Sequence, residues 1–354
     1  MDKLLKDSFV IGAEHVAAWA DLLDAINVFP VADGDTGRNL SISLYPLRAA
    51  EADKKKVVEQ LLFSARGNSG NIASRFFSSF YMADSIADLA VRAQEGAQGA
   101  WLAVSDPCAG TMLSLFDALA EALPATQSVV VDKEAAVRIL NRLEKAVQET
   151  RDTLPKLREA QVVDAGALGM YIFFEGFFYA LVGVPDNQRP VTEIFKNSLL
   201  ISSSFREEKD NGYCVDFVVE AKNSSPEKLA EITKGQDNAV IIPEGNIYKI
   251  HLHTEDAEKI KGQVKQLGSM LHWEEDNLSY QIKEFMNAQA GQSMNVMTDA
   301  AGSLTRADAK KYGITLLNSY LTVGDKCMPE TYYQPEELYD PMRQGIKVST
   351  SQAS

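Results

Sequence analysis

Up to about residue 190, apolar residues recur at intervals of three and four: Phe9, Val10, Ala13, Val16 and Ala17; Val57, Val58, Leu61 and Leu62; Met112, Leu115, Phe116 and Leu119; Ala136, Ile139, Leu140 and Leu143. That spacing collects the apolar side chains on one face of a helix, so it predicts a series of amphipathic helices separated by short Gly, Pro, Asp and Asn breaks. The stretch VPDNQRPVTE (184–193), with two prolines, reads as a boundary. Beyond it the period changes to two, in YCVDFVVEA (213–221) and IYKIHLH (247–253), with helical runs near 226–234 and 255–267. Strands and helices in that order predict a small α/β domain of split β-α-β type. A third style begins near residue 292, where MNVMTD reads as a buried strand followed by a helix and short strands, and the sequence reaches Ser354 while still inside that unit. The expected architecture is multidomain: an all-α helical bundle or barrel over 1–190, a small α/β middle domain over 191–290 and a partial α/β segment over 291–354.

The run AGALGMYIFFEGFFYALVGV (165–184) is long enough to cross a bilayer. Glu175 sits at its middle, where a lone carboxylate in lipid is costly, so a helix buried among other helices is expected and no membrane span. Composition adds a few limits. A net charge of −14 argues against a nucleic-acid backbone or an anionic membrane surface as the main partner. Three widely spaced cysteines, Cys108, Cys214 and Cys327, do not form a disulfide framework, and the N-terminus lacks an apolar core followed by a cleavage site. A reducing cytoplasm is expected.

Candidate chemistry begins at NVFPVADGDTGRN (27–39), where Asp33 and Asp35 flank Gly34. Two carboxylates one glycine apart on a tight turn place hard oxygen ligands side by side, as magnesium requires when it bridges nucleotide phosphates. The helix expected from Arg38 would point its N–H groups the same way. An acidic turn with a helix cap gives the same pattern. SARGNSGN (64–71), DPCAGTML (106–113) and VVDAGALG (162–169) each place a polar or glycine break before an apolar helix. Four such helix starts would form a rim around one end of a bundle, a seat for a nucleotide.

In the middle domain, strand alternation puts Lys249, His251 and His253 on one face of IYKIHLH, and Cys214 and Asp216 on the polar face of YCVDFVVE. One thiol and two imidazoles on strands of one sheet suit zinc with three protein ligands and an open position. A surface histidine pair beside an incidental cysteine is the alternative. His272 or Asp216 is available as a further ligand or a supporting contact.

The four helix-start segments, in this order, resemble the L subunit of dihydroxyacetone kinase (the DAK2 family), and more closely the kinase domain of the bacterial fatty acid kinase catalytic subunit. The resemblance covers roughly residues 1–190 and rests on NVFPVADGDTG, ARGNSG and VVDAG. It implies an all-helical barrel with ATP at one end and Mg2+ held by the acids of the first loop. Asp33 and Asp35 would be the catalytic magnesium ligands, with Asn27 as a third. Asn39, Asn68, Ser69, Gly70, Thr111, Met112, Asp164 and Gly166 would surround the nucleotide. The departures are Asp106, Cys108 and Ala109 in a loop that usually reads close to KPVEGT, Arg38 where threonine is common, and Ala167–Leu168 in place of a more polar pair. The middle domain of the same protein family has a similar GYC…HxH pattern, which implies Zn2+ on Cys214, His251 and His253. VMTDAAGSLT (296–305), KYGITLL (311–317), LTVGD (321–325) and STSQAS (349–354) resemble the start of the DegV family of fatty-acid-binding proteins. Thr350 and Ser351 would then help hold a lipid carboxylate, although most of such a domain is absent from this sequence.

These features predict an ATP-dependent kinase that phosphorylates a fatty acid carboxylate presented by a DegV-type protein or domain. The alternatives are a dihydroxyacetone-type kinase and a non-catalytic ATP-binding adaptor. The segment 292–354 is expected to be loosely held unless it packs on the middle domain or pairs through an open strand edge with a second chain, which would make a homodimer.

Overall fold

The computed structural model describes residues 3–48, 53–123, 131–184, 189–207, 212–221, 226–288, 296–299, 304–317, 319–323, 326–330 and 335–351. The chain divides into two compact units, 1–283 and 284–354.

The helical part of the first unit comprises α1 (Lys3–Ala18), α2 (Ala20–Ala25), α3 (Thr36–Ser43), α4 (Lys54–Ser64), α5 (Gly67–Phe80), α6 (Leu89–Ala103), α7 (Met112–Ala122), α8 (Lys133–Thr153), α9 (Pro155–Ala160), α10 (Ala165–Val182) and α11 (Val191–Ile194). The middle of the expected boundary, 185–188, lies outside the described residues. Apart from Glu175, helix α10 is apolar all round, which suits a helix surrounded by others. It is the one described helix long and apolar enough to cross a membrane, and 83% of that stretch is buried in the protein. Its neighbours include α1, α2, α3, α7 and α8. Phe173, Phe174 and Phe177 of α10 meet Phe9 of α1 and Phe76, Phe77 and Phe80 of α5, all fully buried. Phe76 stacks on Phe116 of α7 with ring centroids 3.9 Å apart. Burying each ring stabilises the fold by about 1.5–3 kcal/mol.

The sheet part contains β1 (Tyr213–Ala221), α12 (Pro226–Thr233), β2 (Asp237–Glu244), β3 (Ile247–Thr254), α13 (Ala257–Leu267) and β4 (Gly268–Asn277), followed by α14 (Leu278–Ala288). The strand order β2-β3-β1-β4, antiparallel throughout, is the split β-α-β arrangement expected from the sequence. Val215, Phe217, Val219, Ile250 and Leu252 form a core with Leu229 of α12 and with Ile260 and Val264 of α13. The opposite face differs from the half-solvated face that period-two patterning predicts. Cys214, Asp216, Lys249, His251 and His253 are all buried. The start of α5 lies over that face, with the Gly67 N–H on Asp216, and the sheet edge is tied to the end of α6 by a Val104–Val240 bridge.

The second unit holds β5 (Val296–Asp299), α15 (Arg306–Tyr312), β6 (Ile314–Leu317), β7 (Tyr320–Val323), β8 (Lys326–Pro329), α16 (Pro335–Arg343) and β9 (Val348–Ser351). Strands β5 and β6 pair in parallel, and β8-β7-β9 form an antiparallel sheet. MNVMTD reads as a buried strand, yet Val296 and Met297 are exposed, since among the described residues β5 has a single neighbouring strand, β6.

Candidate active site and metal centre

The acidic loop leads into α3. Asp35 occupies the position before that helix, yet its side chain does not cap it. Asp24 of α2 does so instead, accepting from Gly37 N at 2.7 Å and Arg38 N at 3.1 Å. Asp35 is thereby left with its carboxylate turned to the loop, 3.7 Å from Arg38 Nη2. This close crossing of α2 and α3 requires Gly37, since a methyl group there would run into the backbone carbonyl of Ala20. Asn27 Nδ2 donates to Asp33 Oδ1 at 2.5 Å, while Asn27 Oδ1 accepts from Thr36 Oγ1 at 2.8 Å. Desolvation and then the neighbouring Asp35 push the Asp33 pKa well above the usual carboxylate range. Two acids held together this way resist joint ionisation, and a divalent cation between them would relieve the repulsion. The donor set, hard oxygens of two adjoining carboxylates, fits magnesium.

A cleft of about 500 Å³ opens beside this loop. Asn68 and Ser69 from the start of α5, Thr111 and Met112 from the start of α7, and Asp164 and Gly166 from the start of α10 all line it. Thr111 caps α7, accepting from Leu113 N at 3.3 Å, and Asp164 caps α10, accepting from Ala167 N at 2.7 Å. Burial lifts the Asp164 pKa to about 7 against the Ala167 and Met112 backbone N–H donors. Asn68 Oδ1 is buried without a hydrogen-bond partner, an acceptor still to be satisfied. The altered loop contributes Asp106 and Cys108 to the same wall. Two predicted nucleotide residues are placed elsewhere. Gly70 faces the Ser43 hydroxyl, and Asn39 lies beneath Gly67, so both act in the packing of α3 on α5. Thr350 and Ser351 lie on β9, paired with Leu321 and Tyr320 of β7; Thr350 is exposed, and Gln352 lies outside the described residues.

The thiol and imidazoles form a genuine cluster, with the ligand atoms of Cys214, His251 and His253 all within 4.8 Å of one another. Register explains it: Cys214 pairs with His253, and Asp216 with His251, across β1 and β3. The histidines are 1% and 7% exposed, which removes the surface-pair alternative. Asp216 Oδ2 lies 3.1 Å from His251 Nδ1, so Nδ1 carries the donated proton. His251 Nε2 then bears the lone pair, and it is buried with no partner. The Asn238 amide lies 3.1 Å from His253 Nδ1. Burial and then His251 hold His253 at a pKa of about 3, so it is neutral. Burial, then Asp216, Asp35 and Asp33, push the Cys214 thiol up. An orphaned imidazole nitrogen, a second neutral imidazole and a thiol form a donor set suited to zinc, whose charge would supply what the thiol needs to ionise.

The acidic loop and the cluster lie together. One small cavity, about 20 Å³, is lined by Asn27, Asp33, Asp35, Thr36, Gly67, Asn68 and Ser69 and also by Cys214, His251 and His253. The middle domain reaches the large cleft too, through Gln236, Asp237, Asn238 and Ala239, held there by a Ser105 N–H on the Ala239 carbonyl at 2.9 Å. Asp216 accepts from Gly67 N and Asn71 Nδ2, each at 2.9 Å, and pairs with Lys249 Nζ at 3.0 Å. Burial alone would raise its pKa, but Lys249, then His251 and the Gly67 N–H, hold it well below the carboxylate range. His272 is half-exposed and pairs with Glu274 at 3.6 Å.

The DAK2 domain model matches residues 30–179, and the FakA-like middle-domain model of fatty acid kinase matches 210–285. Among similar proteins, an uncharacterized protein of Staphylococcus saprophyticus is 28% identical over 338 residues, covering 86% of this chain and 60% of its own length. Uncharacterized proteins of Staphylococcus epidermidis and Staphylococcus aureus are each 29% identical, over 84% and 81% of this chain. The chain spans 57–60% of the length of these relatives. The two domain models match in order, and together they support assigning the chain to the fatty acid kinase and DAK2 family.

Proposed function

We propose that the protein is an ATP-dependent phosphotransferase whose acceptor is a fatty acid carboxylate presented by a DegV-type lipid-binding protein. The observation that carries this reading is the shared cavity, where the acidic loop, the start of α5 and the Cys/His cluster meet. ATP would lie in the cleft with its phosphates toward Thr36, Asn68 and Ser69. Asp33 and Asp35, with Asn27 orienting Asp33, would hold magnesium; Cys214, His251 and His253 would hold zinc. Magnesium supplies charge neutralisation on the phosphates, the main demand of phosphoryl transfer. The chain's own part is to position: Asp24 fixes α3, Thr111 and Asp164 fix two helix starts on the cleft wall, and the sheet edge covers one side and excludes water. A cytoplasmic location fits an enzyme with a buried free thiol beside the nucleotide site.

Single-turnover transfer from labelled ATP, with and without a lipid-loaded DegV-type protein, tests the reading. Label in acyl phosphate only when the loaded partner is present supports it. Label transferred to dihydroxyacetone instead would favour the small-ketone kinase, and ATP binding with no transfer to either would favour an adaptor. Asp35→Ala should abolish transfer with the helical circular dichroism unchanged.

A further inference from the structure

We propose that Asp216 is a positioning residue that couples the Cys214/His251/His253 metal seat to the nucleotide loop, so that occupancy of either site changes affinity at the other. The inference rests on the reading of the cleft as an ATP site. Asp216 stands between the two seats and is 6% exposed. From the sheet it receives Lys249 Nζ at 3.0 Å on Oδ1 and His251 Nδ1 at 3.1 Å on Oδ2. From the helical side it receives Asn71 Nδ2 on Oδ1 and Gly67 N on Oδ2, both at 2.9 Å. Each oxygen is thus shared between one group of the sheet and one of α5.

The sharing on Oδ2 is the coupling element. A cation held on His251 Nε2 would draw electron density from the ring and make Nδ1–H a stronger donor to Asp216 Oδ2. The Gly67 N–H competes for that same oxygen. Gly67 opens α5 at φ +59°, packed so closely on the Asn39 amide that no side chain would fit there. A change at Oδ2 is therefore passed to the turn that carries Asn68 and Ser69, two residues of the nucleotide cleft. Asn238 offers a parallel contact, since it borders the cleft and its amide lies 3.1 Å from His253 Nδ1. Coupling of this kind is reciprocal: metal must respond to nucleotide as nucleotide responds to metal.

The test uses the full chain, stripped by chelation and then reloaded with zinc or cobalt, with fold checked by circular dichroism. The Kd of magnesium-ATP is measured for both forms by calorimetry. In the wild type the two values should differ by about 5-fold or more. In Asp216→Asn the cation should bind about 10–100-fold more weakly, and at saturating metal the two nucleotide Kd values should coincide. Hydrogen exchange at the Gly67 amide should also lose protection in this variant. The cobalt absorption bands should shift on adding magnesium-ATP in the wild type and stay still in Asp216→Asn; Asp216→Glu should restore part of the shift. A wild-type Kd ratio of one overturns the coupling without recourse to any variant, as does an unchanged ratio in a folded, metal-loaded Asp216→Asn. A wild type that binds no magnesium-ATP in either form defeats the ATP reading itself, a separate and distinguishable failure.

Discussion

Glu175 gives the sharpest test of the packing of the helical core. It lies at the middle of α10, 3% exposed, and its Oε1 has no hydrogen-bond partner. Burial lifts its pKa from 4.5 to about 7. The folded protein therefore binds this proton more tightly than the unfolded chain does. The stabilising contribution is fully present below pH 4.5 and is lost as the pH rises through about 7. At about 1.4 kcal/mol per pKa unit, the loss above that range is about 3 kcal/mol. Glu175→Gln has nearly the same shape and cannot ionise. Its stability relative to wild type should be about 1 kcal/mol at pH 5 and should grow to about 3 kcal/mol in favour of the variant at pH 8. Urea unfolding at the two pH values, followed by far-ultraviolet circular dichroism, measures both differences. Equal differences at pH 5 and pH 8 would refute the reasoning, because the benefit would then not come from removing a buried charge. A variant destabilised at both pH values would mean that the carboxylate is satisfied inside the bundle.

Other consequences can be checked separately. Because desolvation and the neighbouring Asp35 raise the Asp33 pKa, magnesium-ATP binding should release a proton. Calorimetry in buffers of different ionisation heat reads this, and Asp33→Asn should abolish the release. Metal analysis of protein prepared without a histidine tag should find about one zinc per chain, falling to near zero in Cys214→Ser. Gly37→Ala, which forces a methyl group against the Ala20 backbone, should cost about 1–3 kcal/mol in unfolding measurements. It should also weaken ATP binding, since the crossing of α2 and α3 sets the acidic loop.

What the sequence reveals of this site depends on whether a residue's role is local. Asn68, Ser69, Thr111, Met112, Asp164 and Gly166 all sit at helix starts, and a polar or glycine break before an apolar run marks such positions directly. The Cys214, His251 and His253 set follows from strand alternation, because antiparallel register then aligns β1 with β3. Asp24 leaves no such trace: it lies within α2 and caps a different helix, so nothing near it in the chain signals the role. Asp216 reaches Gly67 across 149 residues, and only the docking of the sheet onto α5 brings them together. The burial of the polar sheet face is hidden for the same reason, since period two records which side chains share a face and not what covers it. Gly70 and Asn39 show the converse. Their place in the motif suggests contact with the nucleotide, whereas close packing of α3 on α5 already accounts for both.

The shared cavity also bears on the choice of acceptor. Transfer to a hydroxyl needs a group to take its proton, and the cavity offers for that role only Asp33, Asp35, His251, His253 and Cys214. The proposed magnesium would use the two acids, and the proposed zinc would use the two imidazoles and the thiol. Even without metal, His253 at a pKa of about 3 is too weak a base to accept a proton at neutral pH. A carboxylate acceptor arrives already ionised and asks for no base. What it asks for is screening of its charge from the phosphates, and two adjoining cation seats can provide that. On the proposed reading, a cavity rich in metal ligands and poor in free bases would suit acyl phosphate formation better than phosphorylation of an alcohol.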